Sequence, residues 1–424
     1  MRKNYGFENL PLSQLKEIQK RKLRHLVRWA YEKTLLYRRK WDEVGLKPRD
    51  LRKVEDLKKA PLTRYVEDFV KTPISDKLAV PMDKVKEVSS TSGTLSGFTQ
   101  PFMLTKKEAR VYYQNEARVR AICGVTPSDV VQVLTGFECC RNGYYALGST
   151  VLMDHAGRRN IDHQIRLTQV MGVTVLEHLP SHVLLYFERA KQLGIDIRQT
   201  KLRLVVGVGE GWAEAYRRKI EAEYGVPFRS AYGLVETSVV AGECPEGEGM
   251  HTVMDNFIIE VINPETGENL RDGEEGELVI TPLNNVAMPL IRYRTGDVGS
   301  IIPYKLCKCG NTHSKISLVR GRVSQFIKVS GRRILPMDVE EVVALMPGLG
   351  DEYQIILDHP GELEKLKIKA EIRPEIQNAE DVKKKMEETI RKNLGIESEV
   401  ELVSLGSLGR SLFKAQRVIK AYIT

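Results

Sequence analysis

Apolar residues fall at helical spacing in the first segment, where Leu15, Ile18, Leu23, Leu26, Val27 and Ala30 form a stripe behind Pro11 and Ser13. Residues three and four apart share one face of a helix, so this stripe predicts an amino-terminal helical layer. Further along, short runs rich in β-branched residues alternate with helix-spaced ones. Strands are expected at 130–134, 173–176 and 204–208, and helices at 162–171, 181–193 and 213–224. That alternation implies a sheet covered by helices, an α/β arrangement. From Phe257 the texture changes. Phe257 to Ile262, a turn around Pro264 to Gly267, and Gly276 to Thr281 read as strand, turn and strand with no helix between, which predicts an antiparallel, barrel-like piece. The tail reads as a small α+β unit: a strand near 365–372, a helix with Ala379, Val382, Met386 and Ile390 on one face, and a strand at 399–403. A large multi-layer α/β domain over residues 1–322 and a small α+β domain over 323–424 are therefore expected.

A chain of 424 residues is long enough for roughly two or three domains of about 100–200 residues. Its 42% apolar and 29% charged residues fit a folded soluble protein. No run approaches the ~20 apolar residues of a membrane span, and Met1-Arg2-Lys3-Asn4-Tyr5 opens without the apolar core of a signal peptide. A cytoplasmic location and no membrane partner are expected. The net charge of +9 is spread over helices that also carry acids, as in 16–22 and 381–388. Solvated helix faces with some attraction for anionic nucleotides explain it better than a nucleic-acid footprint.

Four short strings bear on chemistry: Ser90-Thr91-Ser92-Gly93-Thr94, Tyr232-Gly233-Leu234-Val235-Glu236, Tyr293-Arg294-Thr295-Gly296-Asp297, and Lys414 within 409–415. A loop of small hydroxyl residues and glycine suits phosphate, because the backbone approaches closely and amides and hydroxyls donate to anionic oxygens. A carboxylate suits Mg²⁺, which prefers hard oxygen, and another suits paired ribose hydroxyls.

The order of these strings resembles the adenylate-forming enzymes, and the flanking text, including 31–51, Gly207 to Trp212, 231–244, 262–281 and 321–341, resembles their phenylacetate-CoA ligase branch. The resemblance covers nearly the whole chain. It implies an ATP-dependent, AMP-forming acid-CoA ligase acting on an aryl or arylacetic acid, with ATP, Mg²⁺ and CoA as cofactors or substrates and a mobile small domain. A homodimer is compatible with it. Thr91, Ser92, Gly93 and Thr94 would form the phosphate loop, with Thr94 catalytic. Gly209 and Glu210 would lie against the adenine, Tyr232 and Gly233 would wall the base, and Glu236 would be the Mg²⁺-associated catalytic acid. Asp297 would accept from the ribose hydroxyls. Arg322 is either a second ribose or phosphate contact or a surface arginine. Lys414 would neutralise charge as pyrophosphate departs. Thr135 to Tyr144 stands where the family builds part of its acyl pocket.

The chain departs from the family in several places. Leu95-Ser96-Gly97 replaces the loop's Thr-Gly-Lys, Val235 replaces the hydroxyl residue before the acid, Ser324 stands at the usual acidic hinge, and Gly409 and Phe413 replace Pro and Gly around Lys414.

Six cysteines do not suggest a disulfide framework in such a chain. Cys244, His251, Cys307 and Cys309 offer the Cys3His set of a closed structural zinc site; four unlinked residues are the alternative. Cys123, Cys139 and Cys140 read as small buried hydrophobes. Two rival functions remain: an adenylating synthetase that acts on a hydroxyl, of deazaflavin-cofactor type, or uses a non-CoA acceptor, and a non-catalytic, zinc-containing nucleotide-binding protein.

Overall fold

The computed structural model describes residues 7–90, 100–135, 138–153, 160–409 and 416–422. α1 (Leu12–Lys33) starts behind Pro11 and buries Leu15, Leu23, Leu26, Val27 and Ala30. Ile18 is only half-buried. The neighbouring Gln19 is buried instead, because its side-chain amide donates to the Phe257 carbonyl at 2.8 Å and so enters the interior satisfied. α2 (Leu35–Asp42) is capped by the Thr34 hydroxyl, and α3 (Ile74–Lys77) is a single turn. β1 (Val85–Ser90) and β2 (Pro101–Thr105) pair antiparallel. α4 (Lys106–Ile122) opens on a capping box between Thr105 and Glu108.

An α/β repeat follows: β3 (Val130–Val133), α5 (Glu138–Leu147), β4 (Thr150–Met153), α6 (Ile161–Val170), β5 (Val175–His178), α7 (Pro180–Gln192), β6 (Leu204–Val208), α8 (Glu214–Tyr224) and β7 (Phe228–Leu234). These five strands lie parallel in the spatial order β4-β3-β5-β6-β7. β8 (Ser238–Glu243) and β9 (Met250–Thr252) continue the sheet antiparallel. β5 begins two residues later than the sequence predicts. Thr174, just before it, donates its hydroxyl to Asp129 at 2.7 Å and its amide to the Val130 carbonyl at 2.9 Å. Side chains alternate across the sheet: Leu204, Val206 and Val208 join α4 and α5 in one apolar cluster, while Val205 joins α7 and α8 in another.

The expected strand-turn-strand piece is an antiparallel sheet in the order β10-β11-β12-β15, comprising β10 (Phe257–Ile262), β11 (Gly276–Pro282), β12 (Tyr293–Gly299) and, after β13 (Ile301–Ile302) and β14 (Lys315–Ile316), β15 (Gly321–Arg322). β13 and β14 return to the β9 edge of the large sheet. The amino-terminal helices cover the second sheet through a cluster that includes Leu26, Trp41, Ile258 and Ile291.

The tail builds its own core from β16 (Ile327–Val329), β17 (Arg332–Ile334), α9 (Pro336–Leu345), β18 (Leu349–Leu357), β19 (Leu366–Ile372), α10 (Ala379–Leu394), β20 (Ser398–Ser404) and β21 (Val418–Lys420). Val339, Tyr353, Ile368, Met386, Ile390 and Val400 pack together there, which makes the large-plus-small α/β architecture plain. Among the described residues, no helix is long and apolar enough to cross a membrane.

Candidate active site

The parallel strands β5, β6 and β7 run out at one edge, where residues at or just beyond their ends (Pro180 and Ser181, Gly209 to Trp212, and Leu234 to Glu236) line a cavity of about 1760 Å³. The carboxyl ends of parallel strands are where open α/β sheets bind ligands, because the diverging loops leave a crevice there. Asp297 and Arg322 line the same space from β12 and β15.

Asp297 and Arg322 face each other in the β12–β15 register. Arg322 donates through Nε to Asp297 Oδ1 at 2.9 Å and through Nη2 to the Thr295 carbonyl at 3.0 Å. The hydroxyl of Tyr232 donates to Asp297 Oδ2 at 2.9 Å. An ionised carboxylate offers about four acceptor positions, so these two donors fix the group and leave acceptor capacity toward the cavity. Arg322 is therefore bound into the site rather than a loose surface arginine.

Glu236 sits in the turn between β7 and β8. Its backbone carbonyl accepts from the Tyr112 hydroxyl and the Asn285 amide, both at 3.0 Å, and its Oε1 accepts from the Tyr293 hydroxyl at 2.8 Å. Burial raises the Glu236 carboxyl above the ordinary range, against the opposing effect of the Tyr293 hydrogen bond. Glycine is required at Gly233, where a Cβ would stand 2.5 Å from the Ser238 carbonyl oxygen. Gly209 adopts a left-handed backbone with φ 81°, a conformation that favours glycine. Beside it, Glu210 accepts from the Ser181 amide at 3.2 Å and hydroxyl at 2.7 Å, tying the end of β6 to the start of α7. Val235 is exposed. Thr237 does not replace the missing hydroxyl, because its Oγ1 is buried and donates to the Ser238 carbonyl at 3.0 Å.

Thr91, Ser92, Gly93, Thr94 and Lys414 lie outside the described residues. Ser89, Ser90, Gln416 and Arg417, near them in sequence, line the cavity. Arg417 stacks over the Tyr353 ring at 4.6 Å and pairs with Glu352. β21, which follows it, is held parallel to β18, with Val418 opposite Ile355.

Sequence reasoning missed how the small domain docks. α8 begins after Ala213, which offers it no side-chain cap. The Glu341 carboxylate from α9 accepts from the Glu214 amide and, at 2.9 Å, from the Ala215 amide. Glu340 accepts from the Ala213 amide at 3.4 Å. An anion at a helix amino terminus satisfies orphan donors and meets the positive end of the helix dipole. Arg320 and Asp338 form a further ion pair between the two parts.

The cysteine and histidine set does come together. The ligand atoms of Cys244, His251, Cys307 and Cys309 all lie within 4.8 Å of one another. Cys244 Sγ is 3.7 Å from Cys307 Sγ, and Cys309 Sγ is 3.3 Å from His251 Nε2. With zinc–sulfur bonds of ~2.3 Å, tetrahedral geometry puts ligand atoms roughly 3.5–4 Å apart, so the Cys244–Cys307 edge fits such a centre and the Cys309–His251 edge is slightly shorter than it requires. His251 Nδ1 lies 3.0 Å from the His313 carbonyl, a contact that favours the proton on Nδ1 and leaves Nε2 as the donor atom.

A family model for AMP-binding enzymes matches residues 130–287, and one for the AMP-binding enzyme C-terminal domain matches 331–421. Over 379 residues the chain is 33% identical to the phenylacetate-coenzyme A ligase of Thermus thermophilus, covering 86% of this chain and 83% of that one. It is 31% identical over 426 residues to the phenylacetate-coenzyme A ligase of Escherichia coli, covering 97% and 96%. A solved structure of 2-hydroxyisobutyryl-CoA ligase in the postadenylation state, bound to 2-HIB-AMP, superposes with TM-score 0.89 at 23% identity over 97% of this chain and 91% of that one. The same ligase in the thioesterification state, with 2-HIB-AMP and CoA, superposes at 0.70 with 23% identity and the same coverage.

Proposed function

The chain belongs to the phenylacetate-CoA ligase family of AMP-binding enzymes, and from that premise we propose that it activates an aryl or arylacetic acid as its adenylate and passes the acyl group to CoA. One observation carries the reading: the carboxylates of Asp297 and Glu236 open into a single cavity at the carboxyl ends of the parallel strands, each held by a tyrosine.

In the first step the acid's carboxylate oxygen attacks the α-phosphorus of ATP and the bond to the β-phosphate oxygen breaks, releasing pyrophosphate. Asp297 holds the ribose hydroxyls with the acceptor capacity left by Tyr232 and Arg322. Gly209, Glu210, Tyr232 and Gly233 shape the adenine slot. Glu236 would hold Mg²⁺, which supplies charge neutralisation on the phosphates; a buried oxygen donor at the turn suits that hard cation. The 91–94 loop, with Thr94, would cradle the phosphates, and Lys414 would stabilise charge building between carboxylate and α-phosphate. In the second step the CoA sulfur attacks the acyl carbonyl and AMP leaves. Dividing one condensation between two activated steps is the advantage of a covalent intermediate.

The residues from 323 onward act as the mobile domain. The docked arrangement corresponds to the adenylation half, a reading supported by the better superposition on a postadenylation state. The Cys3His cluster is a structural zinc centre that pins the β13–β14 loop to β8 and β9. The activity is tested by pyrophosphate release from MgATP across aryl and aliphatic acids, with and without CoA. Acid-dependent release with thioester formed only when CoA is present is expected; release without thioester in the presence of CoA would favour another acceptor.

A further inference from the structure

α4 carries two charged residues into the interior that none of the roles above uses. Glu116 and Arg120 are almost completely buried, yet both line the cavity. Arg120 Nη2 stands 3.1 Å from Glu116 Oε2, and its Nε stands 2.8 Å from Oε2 of Glu177 on β5. The Tyr144 hydroxyl donates to that same Glu177 oxygen at 2.7 Å, and Arg120 lies over the Tyr144 ring at 5.5 Å.

The cluster is close to the reacting end. Tyr112, one helical turn before Glu116, touches the Glu236 carbonyl. Ser238 Oγ lies 3.5 Å from both the Tyr112 carbonyl and Glu116 Oε1. Successive turns of a helix rise by about 5.4 Å, so Glu116 and Arg120 stand roughly one and two turns deeper than the Glu236 contact. Glu116 is closely packed: a Cβ at Gly143 of α5 would come within 2.3 Å of Glu116 Cβ.

Stability does not explain the cluster. Two carboxylates around one guanidinium leave an acidic excess, with all three side chains almost completely buried. Removing such charges from water costs about as much as their pairing returns, and apolar replacements of similar volume often stabilise a fold. Burial pushes the Glu116 carboxyl up to about 7 against the opposing pull of Arg120, so near neutrality it can donate or accept a hydrogen bond. A perturbed group that lines a cleft is a candidate for a ligand-facing role.

We propose that Glu116, backed by Arg120 and Glu177, is the specificity floor of the acyl pocket, and that the acid activated here carries a hydroxyl or amino group remote from its carboxylate. This inference rests on the ligase reading. A remote hydroxyl donates to Glu116 and accepts from Arg120; an unsubstituted ring or chain leaves those buried groups without that exchange, which is how a polar site rejects an analogue lacking the group.

The test is wild-type kcat/KM for pyrophosphate release with matched acids: phenylacetate against its 3-hydroxy, 4-hydroxy and 4-amino derivatives, and butyrate and hexanoate against their terminal hydroxy derivatives. The substituted member of at least one pair is expected to exceed its parent by on the order of 10–100-fold. Glu116→Leu should collapse that ratio by lowering use of the substituted acid and raising use of the parent. Glu116→Gln, close in size and able to fold where leucine does not, should reduce it several-fold. Release with the parent equal or preferred in every pair, or a ratio unmoved by both variants, overturns the specificity floor and leaves the ligase reading standing. No acid-dependent release with any acid overturns the ligase reading, and this inference with it.

Discussion

Asp297 stood out in the sequence because its five-residue string is specific and its chemistry admits few substitutes. The structure adds that Tyr232 and Arg322 already occupy one position on each carboxylate oxygen, so the group is oriented before any nucleotide arrives. Asp297→Ala removes charge-assisted hydrogen bonds worth about 1.5–3 kcal/mol. ATP and a non-hydrolysable acyl-adenylate analogue should both bind roughly 10–100-fold more weakly by calorimetry; wild-type affinity for both would remove the residue from the nucleotide site. Glu116 and Arg120 were not legible. At i and i+4 on a charged helix, in 115–120, they look like a solvated ion pair, and only the burial of α4 between sheet and cavity reveals otherwise. The same holds for Glu340 and Glu341, whose task depends on a helix more than a hundred residues earlier in the chain.

At the scale of elements, the three strands and three helices expected in the α/β repeat fell within about two residues of their positions, because β-branched runs and helical stripes are both strong signals there, whereas α5, β4 and β7 were not anticipated. Exact ends were set by local hydrogen bonds, such as those of Thr174, that periodicity does not encode. The proposed zinc centre depends on two elements meeting, the β8–β9 hairpin and the β13–β14 loop. Elemental analysis of protein purified without added metal should give about one zinc per chain. The Cys307→Ser, Cys309→Ser variant should lose the metal and unfold at lower temperature; zinc absent from the wild type, or retained by the variant, would contradict the assignment. The junction of α8 with α9 gives a second prediction. Glu341→Ala leaves the first amides of α8 without their cap, a loss of about 0.5–2 kcal/mol. The docked form should become less populated, read as a larger radius of gyration by X-ray scattering and slower pyrophosphate release. An unchanged radius and rate would mean that the contact does not hold the domains together.

For the whole molecule, a large and a small part were legible from the small α+β pattern of the tail, but their docked arrangement was not, since nothing local in the sequence specifies which face the small part presents. If that domain alternates between steps, Lys414 serves only the first. Lys414→Ala should slow acid-dependent pyrophosphate release by on the order of 10²–10³ while sparing thioester formation from a supplied acyl-adenylate and CoA. Equal loss in both assays would argue against alternation. The central claim, an enzyme-held acyl-adenylate formed before any thiol takes part, is tested most directly by isotope exchange between labelled pyrophosphate and ATP with acid and Mg²⁺ present and CoA withheld. The account predicts exchange that requires the acid and is lost in Asp297→Ala. With an acid that the enzyme converts to its thioester, exchange that appears only on adding CoA, or label entering ATP without acid, would contradict it.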